Sequence, residues 1–375
     1  MPLYLNDEQV MLRDAAREFI ADVAPVAHQR RLRDTDDATG FDRDLWRRFA
    51  DMGFTGMLID AGHGGLGLGH VEAGIVLEEI GRNLSPSPFL TTAVAAVTAL
   101  AGTEQAARWF PGIVAGETVA AIAVDESAKH RDRIAMTATR AGNGFRLSGE
   151  KRFVVHGHVA DLLIVAARTA GAPDDREGVT LFAVPRDMNG LTVKPERLAD
   201  ASLAATVTFA DATLDGDAVL GEVDGGRAIL DRLLRAGRTG VAAESLGVGT
   251  GAMAMTIGYL KDRNQFGVPI GSFQALQHRA AHLYAEMEVA RAAVLKAQQL
   301  LDADADGADA AVSVAKAMTA MATTLAVNEG VQMHGGIGMT DAYDIGFYMK
   351  RARVLAEMFG DANFHADRLA TLSGY

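Results

Sequence analysis

Two short segments of the chain carry side chains suited to binding a large anion. The first is Arg263–Gln274, R-N-Q-F-G-V-P-I-G-S-F-Q, which joins two long helical patterns. A guanidinium group gives planar, bidentate recognition of phosphate, and glycine lets the backbone approach a ligand closely. Gln274 offers donors and acceptors to the edge of a heterocycle. An isolated arginine at a helix C-terminus more often hydrogen-bonds the last carbonyls of the helix. The neighbouring aromatic, amide and glycine residues are therefore what indicates a binding site at Arg263.

The second segment is Gln332–Thr340, Q-M-H-G-G-I-G-M-T, at the end of a later helical pattern. Gly335 and Gly336 serve equally well as a helix C-cap or as unhindered backbone amides for a pyrophosphate or an adenine. Neither segment is specific alone. Together, about sixty residues apart and behind a β-rich region, they predict a large anionic cofactor.

Two further segments are less informative. The glycine-rich stretch His63–Gly69 is not preceded by a strand, as a dinucleotide-binding fold would require, so a loop that crosses a surface closely is favoured over phosphate binding. The aspartate-rich stretch Asp302–Gly307 lacks the closing glutamate of a calcium loop. The sequence therefore predicts no metal site.

The elements that must position these segments follow from the hydrophobic periodicity. Asn6 and Gln9 are spaced as a capping box, and helical patterns fill the first third of the chain at 7–27, 41–52, 71–82, 88–101 and 104–115. Short β-rich runs follow at 119–124, 134–139, 162–167, 179–184 and 206–209. Helical patterns return at 227–260, 275–301, 308–333 and 343–370.

We therefore predict an α+β protein of three domains. These are an N-terminal helical domain at residues 1–117, a middle β-barrel or sandwich domain at 118–224, and a C-terminal four-helix bundle at 225–375. The Ala-, Gly- and Ser-rich stretch 227–260 predicts a helix whose backbone lies very close to its neighbours.

Composition excludes several classes of partner and site. The formal net charge is −12 without a basic tract, which argues against nucleic acid. The absence of cysteine excludes disulfides and thiolate nucleophiles from this sequence. The first residues show no secretory signal, and the apolar run at 91–101 is too short to cross a bilayer. We expect a soluble, cytoplasmic protein without a membrane partner.

The chain resembles the acyl-CoA dehydrogenase family over nearly its whole length. The resemblance is carried by R-N-Q-F-G-V-P-I-G-S-F-Q-A-L-Q-H at 263–278 and Q-M-H-G-G-I-G-M-T-D-A-Y-D-I-G-F-Y-M-K-R-A-R at 332–353. Supporting matches are L-S-G-E-K-R-F-V-V-H-G-H-V-A-D-L-L-I-V-A-A-R at 147–168 and the pair Leu220-Gly221. The resemblance implies the same three-domain order, with FAD bound at a subunit interface of a dimer or a dimer of dimers.

The resemblance also implies roles for individual residues. Arg263 matches the family's pyrophosphate-binding arginine, and Phe153 and Val155 fall where the family has a tryptophan and a threonine against the flavin. The remaining implied cofactor contacts are Gln265, Phe266, Ile270, Phe273, Gln274 and, towards the FAD of the neighbouring subunit, Gln332, Gly335 and Gly336.

The family's catalytic glutamate has no counterpart in this sequence. The family abstracts a substrate α-proton with a carboxylate of raised pKa. Its usual position is Phe359 here, and the alternative position used by some relatives is Gly237. Among the nearby acids, Asp361 is suited to capping a helix and Glu357 points away. Glu244 is the one weak candidate for a relocated base, but we favour a structural ion pair for it.

The family's glycine-rich substrate loop also departs from the pattern, since D-E-S-A-K-H-R-D stands at 125–132. Lys129, His130 and Arg131 either contact CoA phosphates or form a solvated turn, and we favour the turn. Arg238 matches a family arginine near the base.

The predicted function is α,β-dehydrogenation of an acyl-CoA thioester by an FAD-binding, acyl-CoA dehydrogenase-like protein. The expected partners are the acyl-CoA substrate, an electron-acceptor flavoprotein and same-family subunits in a dimer or tetramer. The base comes either from such a subunit or from a relocated acid, of which Glu244 is the first to test. The alternatives are a non-catalytic flavoprotein or scaffold subunit and a flavin enzyme with different chemistry.

Overall fold

The computed structural model describes residues 2–375, which form two compact units. One unit, the helical unit, comprises residues 2–31, 70–86 and 238–375. The other, the sheet unit, comprises residues 32–69 and 87–237. Helices dominate the first unit and an eight-stranded sheet dominates the second, which confirms the predicted α+β class.

The predicted helical and β-rich regions appear in the predicted order, but the strands Gly144–Val155 and Leu191–Arg197 were not predicted. The helices are α1 (Asp7–Val23), α2 (Val26–Asp34), α3 (Arg43–Asp51), α4 (His70–Asn83), α5 (Val97–Leu100), α6 (Ala106–Val114), α7 (Arg227–Asp262), α8 (Gln274–Asp302), α9 (Ala308–His334), α10 (Ile345–Glu357) and α11 (Ala362–Leu372). The strands are β1 (Ala120–Ala123), β2 (Thr137–Ala141), β3 (Gly144–Val155), β4 (Leu162–Arg168), β5 (Val179–Pro185), β6 (Leu191–Arg197), β7 (Leu203–Leu214), β8 (Val219–Leu220), β9 (Asn264–Gln265) and β10 (Val268–Pro269).

The sheet has the strand order β6-β7-β3-β2-β4-β5-β8, with β1 added alongside β4. Its longest pairing is antiparallel, between β3 and β7, and its register shifts between Lys151 and Val154. Strands β4 and β5 are buried on both faces, and Phe145 of β3 meets Phe182 of β5 at 5.2 Å between ring centroids. The apolar core of this unit therefore fixes the strand that carries two predicted cofactor residues.

The glycine-rich stretch at 63–69 is explained by the path of the chain. Gly64 and Gly67 have positive φ angles of 83° and 62°. A Cβ atom on Gly65 would lie 2.1 Å from the carbonyl oxygen of Ile59. These glycines meet local steric demands, as a loop that crosses a surface closely requires.

The predicted capping box at the start of α1 is present. The Asn6 side chain accepts a hydrogen bond from the Gln9 backbone at 2.8 Å, and the Gln9 side chain accepts one from the Asn6 backbone at 3.0 Å. The helix ends at Val23 rather than near Ala27 because Pro25 lacks the amide donor needed to continue it.

Helices α4 and α7 approach each other at the level of their backbones, as the small residues of α7 predict. A Cβ atom on Gly247 would lie 1.9 Å from the Glu78 carbonyl oxygen, and one on Gly81 would lie 2.1 Å from the Glu244 carbonyl oxygen. Each glycine therefore admits the other helix, and side chains of α4 and α7 are held in close register.

The predicted last helix, 343–370, is two helices. Helix α10 stops at Glu357, and Phe359 and Gly360 both have positive φ angles, 55° and 111°. A Cβ atom on Gly360 would lie 2.4 Å from the Phe364 ring. The side chain of Asp361 then caps α11 by accepting from the Phe364 amide at 2.9 Å. The turn thus interrupts the helix at the position expected to carry the catalytic base.

Within residues 2–375, one helical stretch, Ala308–Met339, is long and apolar enough to cross a membrane. It is longer than the apolar run noted in the sequence. Its most apolar window is 56% buried inside the protein, which is expected of a helix in a bundle core. The stretch is therefore weak evidence for a membrane span.

The α4–α7 contact predicts opposite effects for two glycine-to-alanine changes in one helix. Gly247→Ala should lower the free energy of unfolding by about 1–3 kcal/mol, because the new methyl group meets a backbone oxygen. Gly258→Ala, in the same helix with nothing within 4 Å of the new Cβ, should raise it by about 0.5–1 kcal/mol. Urea unfolding followed by circular dichroism measures both, and equal effects would contradict the close contact.

Candidate functional site

The segment Arg263–Gln274 forms an exposed hairpin at the end of α7. Asn264 pairs with Pro269 and Gln265 with Val268, so Phe266 and Gly267 form a two-residue turn. Their φ angles are 55° and 81°, the positive values that tight hairpin turns need. A positive φ is unusual for phenylalanine, so the turn holds this side chain in a conformation that an aromatic residue rarely adopts.

The side chains of the hairpin have few partners within the chain. Phe266 is 92% exposed, and its one ring neighbour is Phe273, at 6.1 Å between centroids. The guanidinium of Arg263 makes no hydrogen bond or ion pair to residues 2–375. Gln265 donates only to the neighbouring Asn264 carbonyl, at 2.8 Å. An exposed aromatic ring beside an unpaired cation is suited to cover and pair with an anionic aromatic ligand.

The second predicted segment is also open. Helix α9 ends at His334, and Gly335, with a φ of 63°, begins a short 3₁₀ helix that runs to Met339. Gln332 and both glycines are exposed, and a Cβ atom on Gly336 would meet nothing within 4 Å. Neither backbone conformation nor crowding within the described chain explains glycine at position 336. Close approach of a ligand or a partner chain would explain it.

An aromatic cluster joins the two segments. Tyr259, one turn before Arg263, lies 4.6 Å from the ring of His334, which directly precedes Gly335. Tyr343 lies 4.7 Å from the same imidazole and 6.0 Å from the Tyr259 ring, so the three rings form a triangle. The His334 Nδ1 atom bonds to the Gly330 carbonyl at 2.6 Å, and burial lowers the pKa of His334. The cluster was not anticipated from the sequence, and it holds the ends of α7 and α9 together with a neutral imidazole.

In the sheet unit, Phe153 and Val155 lie at the end of β3, and both are half-buried. Phe153 has a φ of 53° and sits in the register shift between Lys151 and Val154. Such a bulge redirects a side chain out of the regular alternation of a strand, and bulges are frequent beside active sites. The structure thus gives Phe153 an unusual backbone, while Val155 has no polar atom to offer a ligand.

The solvated turn favoured above for Lys129, His130 and Arg131 is wrong for His130. The His130 side chain is buried, and its Nδ1 atom lies 2.6 Å from Asp125 Oδ1. Glu126 accepts from the amides of Ala135 and Met136 and from buried Lys151, whose Nζ lies 2.6 Å away. Ion pairing therefore fixes this loop.

Lys129 and Arg131 are the members of the basic trio that remain exposed.

Three basic side chains hold the turn that contains Phe359. Arg238 Nε and His365 Nε2 lie 3.1 Å and 3.2 Å from the Phe359 carbonyl oxygen. Lys316 Nζ donates to the carbonyls of Ala356 and Gly360 at 3.1 Å and 2.9 Å. All three basic residues are buried. The turn is fixed through its backbone, and the side chain at position 359 takes no part in these bonds.

Lys316 was missed in the sequence, although a single lysine in the apolar run A-V-S-V-A-K-A-M was a visible signal. Burial and, to a smaller extent, the nearby Arg238 charge lower the pKa of Lys316 to about 7. Asp361 and Glu357 act in the opposite direction. The amine is therefore poised between its charged and neutral forms near neutral pH.

The acids near the expected base have structural partners. Glu244 is buried, and its Oε1 atom accepts from Arg351 Nε and Nη2 at 2.9 Å and 2.5 Å. Glu357 pairs with Arg353 at 3.1 Å. These contacts agree with the ion pair favoured for Glu244. Gly237 is buried in α7 and has no side chain to contribute.

Family models match all three parts of the chain. They are the acyl-CoA dehydrogenase N-terminal domain at residues 6–117, the middle domain at 121–211 and the C-terminal domain at 224–372. The helix–sheet–helix order is thus that of a known class of oxidoreductase. The chain belongs to the acyl-CoA dehydrogenase family, whose members are FAD-dependent enzymes.

Relatives match nearly the whole chain. Acyl-CoA dehydrogenase FadE12 of Mycobacterium tuberculosis is 30% identical over 93% of this chain and 91% of its own length. The solved structure of the Tcur3481-Tcur3483 steroid ACAD, a variant form, is 32% identical with a TM-score of 0.88 and covers 98% of both chains. The ChsE4-ChsE5 complex from M. tuberculosis is 27% identical with a TM-score of 0.90 and covers 100% of both.

These similarities confirm the predicted family, fold class and enzyme class, with acyl-CoA dehydrogenation supported at the level of the family. The roles of individual residues and the domain boundaries stay predictions.

The buried amine of Lys316 predicts a pH-dependent contribution to stability. Its pKa falls from an ordinary 10.5 to about 7 on folding, so between these values the unfolded chain binds more protons. The free energy of unfolding should therefore rise with pH across this window, by up to about 1.4 kcal/mol per pH unit. Lys316→Met should remove that rise in urea unfolding measured from pH 7.5 to about 9.5.

Lys350→Met, which removes an exposed lysine from α10, is the matched control and should keep the rise. A slope that is the same in the parent and in Lys316→Met would show that the amine does not titrate in this window.

Proposed function

We propose that the chain is an FAD-binding subunit of an acyl-CoA dehydrogenase whose proton-abstracting carboxylate comes from a partner subunit. The observation that carries the cofactor assignment is that one hairpin segment contains both an unpaired guanidinium and a phenylalanine that is 92% exposed. The observation that supports a base from a partner subunit is Phe359, whose side chain cannot accept a proton. It stands on a turn that Arg238, Lys316 and His365 hold in place.

The residues of the helical unit fit the phosphate-bearing part of FAD. Arg263 would pair with the pyrophosphate, and Gln265 and Gln274 would hydrogen-bond nearby polar groups. Gly335 and Gly336 would admit the cofactor to the backbone, with Gln332 beside them. Phe266, Ile270 and Phe273 would supply apolar cover for its rings. Two observations support this fit: a Cβ atom on Gly336 would meet nothing within 4 Å, and the Arg263 guanidinium has no partner in residues 2–375.

The sheet unit would contribute to the flavin end of the cofactor. Phe153, on its strained bulge, would lie against the isoalloxazine, and Val155 would pack beside it. When bound, FAD supplies the electron acceptor for hydride removal from the substrate. The chain's own residues would bind, orient and shield that group.

Proton abstraction requires a carboxylate near the substrate α-carbon. Phe359 cannot accept a proton, and Glu244 Oε1 accepts two hydrogen bonds from Arg351. Glu244 is thus already engaged in a buried ion pair, which favours a structural role for it. We therefore assign the base to a same-family subunit and retain Glu244 only as a candidate to be tested by Glu244→Gln. The remaining expected partners are an acyl-CoA and an electron-acceptor flavoprotein, in the cytoplasm.

Phe359 also favours a second candidate, a flavoprotein or scaffold subunit that catalyses nothing. The two differ in one assay. A dehydrogenase subunit reduces a dye with an acyl-CoA when its partner is present, whereas a scaffold subunit adds no turnover to any partner.

The cofactor assignment predicts the behaviour of an Arg263 variant. The parent chain, purified with candidate partner subunits, should hold FAD, visible in its absorption spectrum. Arg263→Gln should weaken FAD binding by roughly tenfold or more, since it removes a charge-assisted pair with a phosphate. Arg146→Gln, which removes another exposed arginine without a side-chain hydrogen bond, is the control and should leave FAD content unchanged. Equal FAD affinity in both variants would reject the role of Arg263.

The absent base predicts a gain of function. Phe359→Glu places a carboxylate on the existing turn, so the FAD-loaded chain alone should gain acyl-CoA-dependent dye reduction, on the order of 10²-fold above the parent. Phe359→Gln matches its size without its basicity and should stay at the parent rate. A panel of acyl-CoAs of differing chain length is needed. If the two variants hold FAD and are equally inactive, position 359 does not carry the base in this fold.

A further inference from the structure

A separate cavity lies within the helical unit, between α1, α4, α7 and α8. Its volume is about 470 Å³, which is in the range of small-molecule sites. Apolar side chains from all four helices form much of its wall, among them Val10, Ile75, Leu246 and Val294. None of the residues in its lining is among those proposed above for FAD or for proton transfer.

Four arginines line this cavity, and each has donors to spare. Arg17 uses Nε and Nη2 on Glu79, at 3.1 Å and 2.8 Å, and its Nη1 makes no hydrogen bond to residues 2–375. Arg82 likewise uses Nε and Nη2 on Glu79 and Glu78, at 3.1 Å and 3.3 Å.

Arg291 uses Nε and Nη1 on Glu288 and Glu78, and Arg13 uses Nε and Nη2 on Asp14. Each guanidinium thus pairs through two nitrogens with one or two carboxylates, among them Glu78 of the cavity wall, while its third nitrogen has no partner in the described chain. Fixed guanidinium groups with free N–H donors select a carboxylate or similar anion.

Gln298 supplies the second, independent observation. It is only 5% exposed and lines the cavity, yet its carboxamide makes no hydrogen bond within residues 2–375. Its nitrogen lies over Gly74, where a Cβ atom would come within 1.8 Å of it. A buried amide without a partner is costly, so a polar group of a ligand or water is needed to satisfy it.

We propose that this cavity binds a small amphipathic carboxylate, with its apolar chain against the α1, α4, α7 and α8 side chains and its head group on the guanidinium donors and the Gln298 amide. The apolar wall would contact the hydrocarbon part of such a ligand, and the unpartnered N–H donors would bind its carboxylate. The site is independent of the FAD assignment, so either can fail without the other.

Sodium decanoate, below its micellar concentration, is the probe, and isothermal titration calorimetry of the full chain is the measurement. We expect one decanoate per chain at this site. Arg13→Gln and Gln298→Leu should each weaken binding about tenfold, and 1-decanol, which keeps the chain and loses the charge, should bind at least about tenfold more weakly than decanoate. Arg13→Gln removes the ion-pair partner of Asp14, but Asp14 is exposed, so neither substitution leaves a buried carboxylate without a partner.

The matched control is Arg47→Gln, which removes an exposed arginine paired with Asp44 on its own helix, outside the cavity. It should bind decanoate as the parent does, and circular dichroism should show all three variants folded. The proposal is overturned if decanoate does not bind, if Arg13→Gln and Gln298→Leu bind it as tightly as Arg47→Gln, or if 1-decanol binds equally well.

Discussion

Side chains from three helices donate hydrogen bonds to the backbone carbonyls of one turn, residues 356–360. Arg238 from α7, Lys316 from α9 and His365 from α11 all donate to oxygens of the turn that follows α10. Because these bonds go to the main chain, the turn keeps its shape whatever side chain stands at position 359. Buried bases are stable here because each is hydrogen-bonded. The fold can therefore lose a catalytic carboxylate at this position without losing the turn.

The two predicted cofactor segments differ from this turn because their side chains are exposed and have few partners. In the hairpin after α7, Phe266 and Arg263 are exposed and have little to contact, and the Gly335–Gly336 pair is open as well. The ends of the two helices that carry these segments are joined by tilted and edge-on ring contacts among Tyr259, His334 and Tyr343. A rigid base with an uncovered surface is the arrangement expected of a site completed by a ligand and a second subunit.

Much of this architecture followed from periodicity, because long amphipathic helices and buried strands repeat clear patterns. The exposed edge strand β6 did not, since Lys194, Pro195 and Glu196 break the alternation and its pairing is made by the backbone. The break at Phe359–Gly360 also escaped the pattern, because the apolar period continues on both sides of it. The hairpin and glycine segments were visible as motifs. The partners of buried Lys316 could not be predicted because they are distant in sequence, and the burial of His130 against Asp125 was not predicted either.

The central claim is that the hairpin at 264–274 and the segment at 332–340 form one cofactor surface. Amide hydrogen exchange, read by mass spectrometry with and without FAD, tests it most directly. We expect FAD to slow exchange in both segments together and to leave the polar turn at 302–307 unchanged. Slowing in neither segment, or in only one of them, would contradict it.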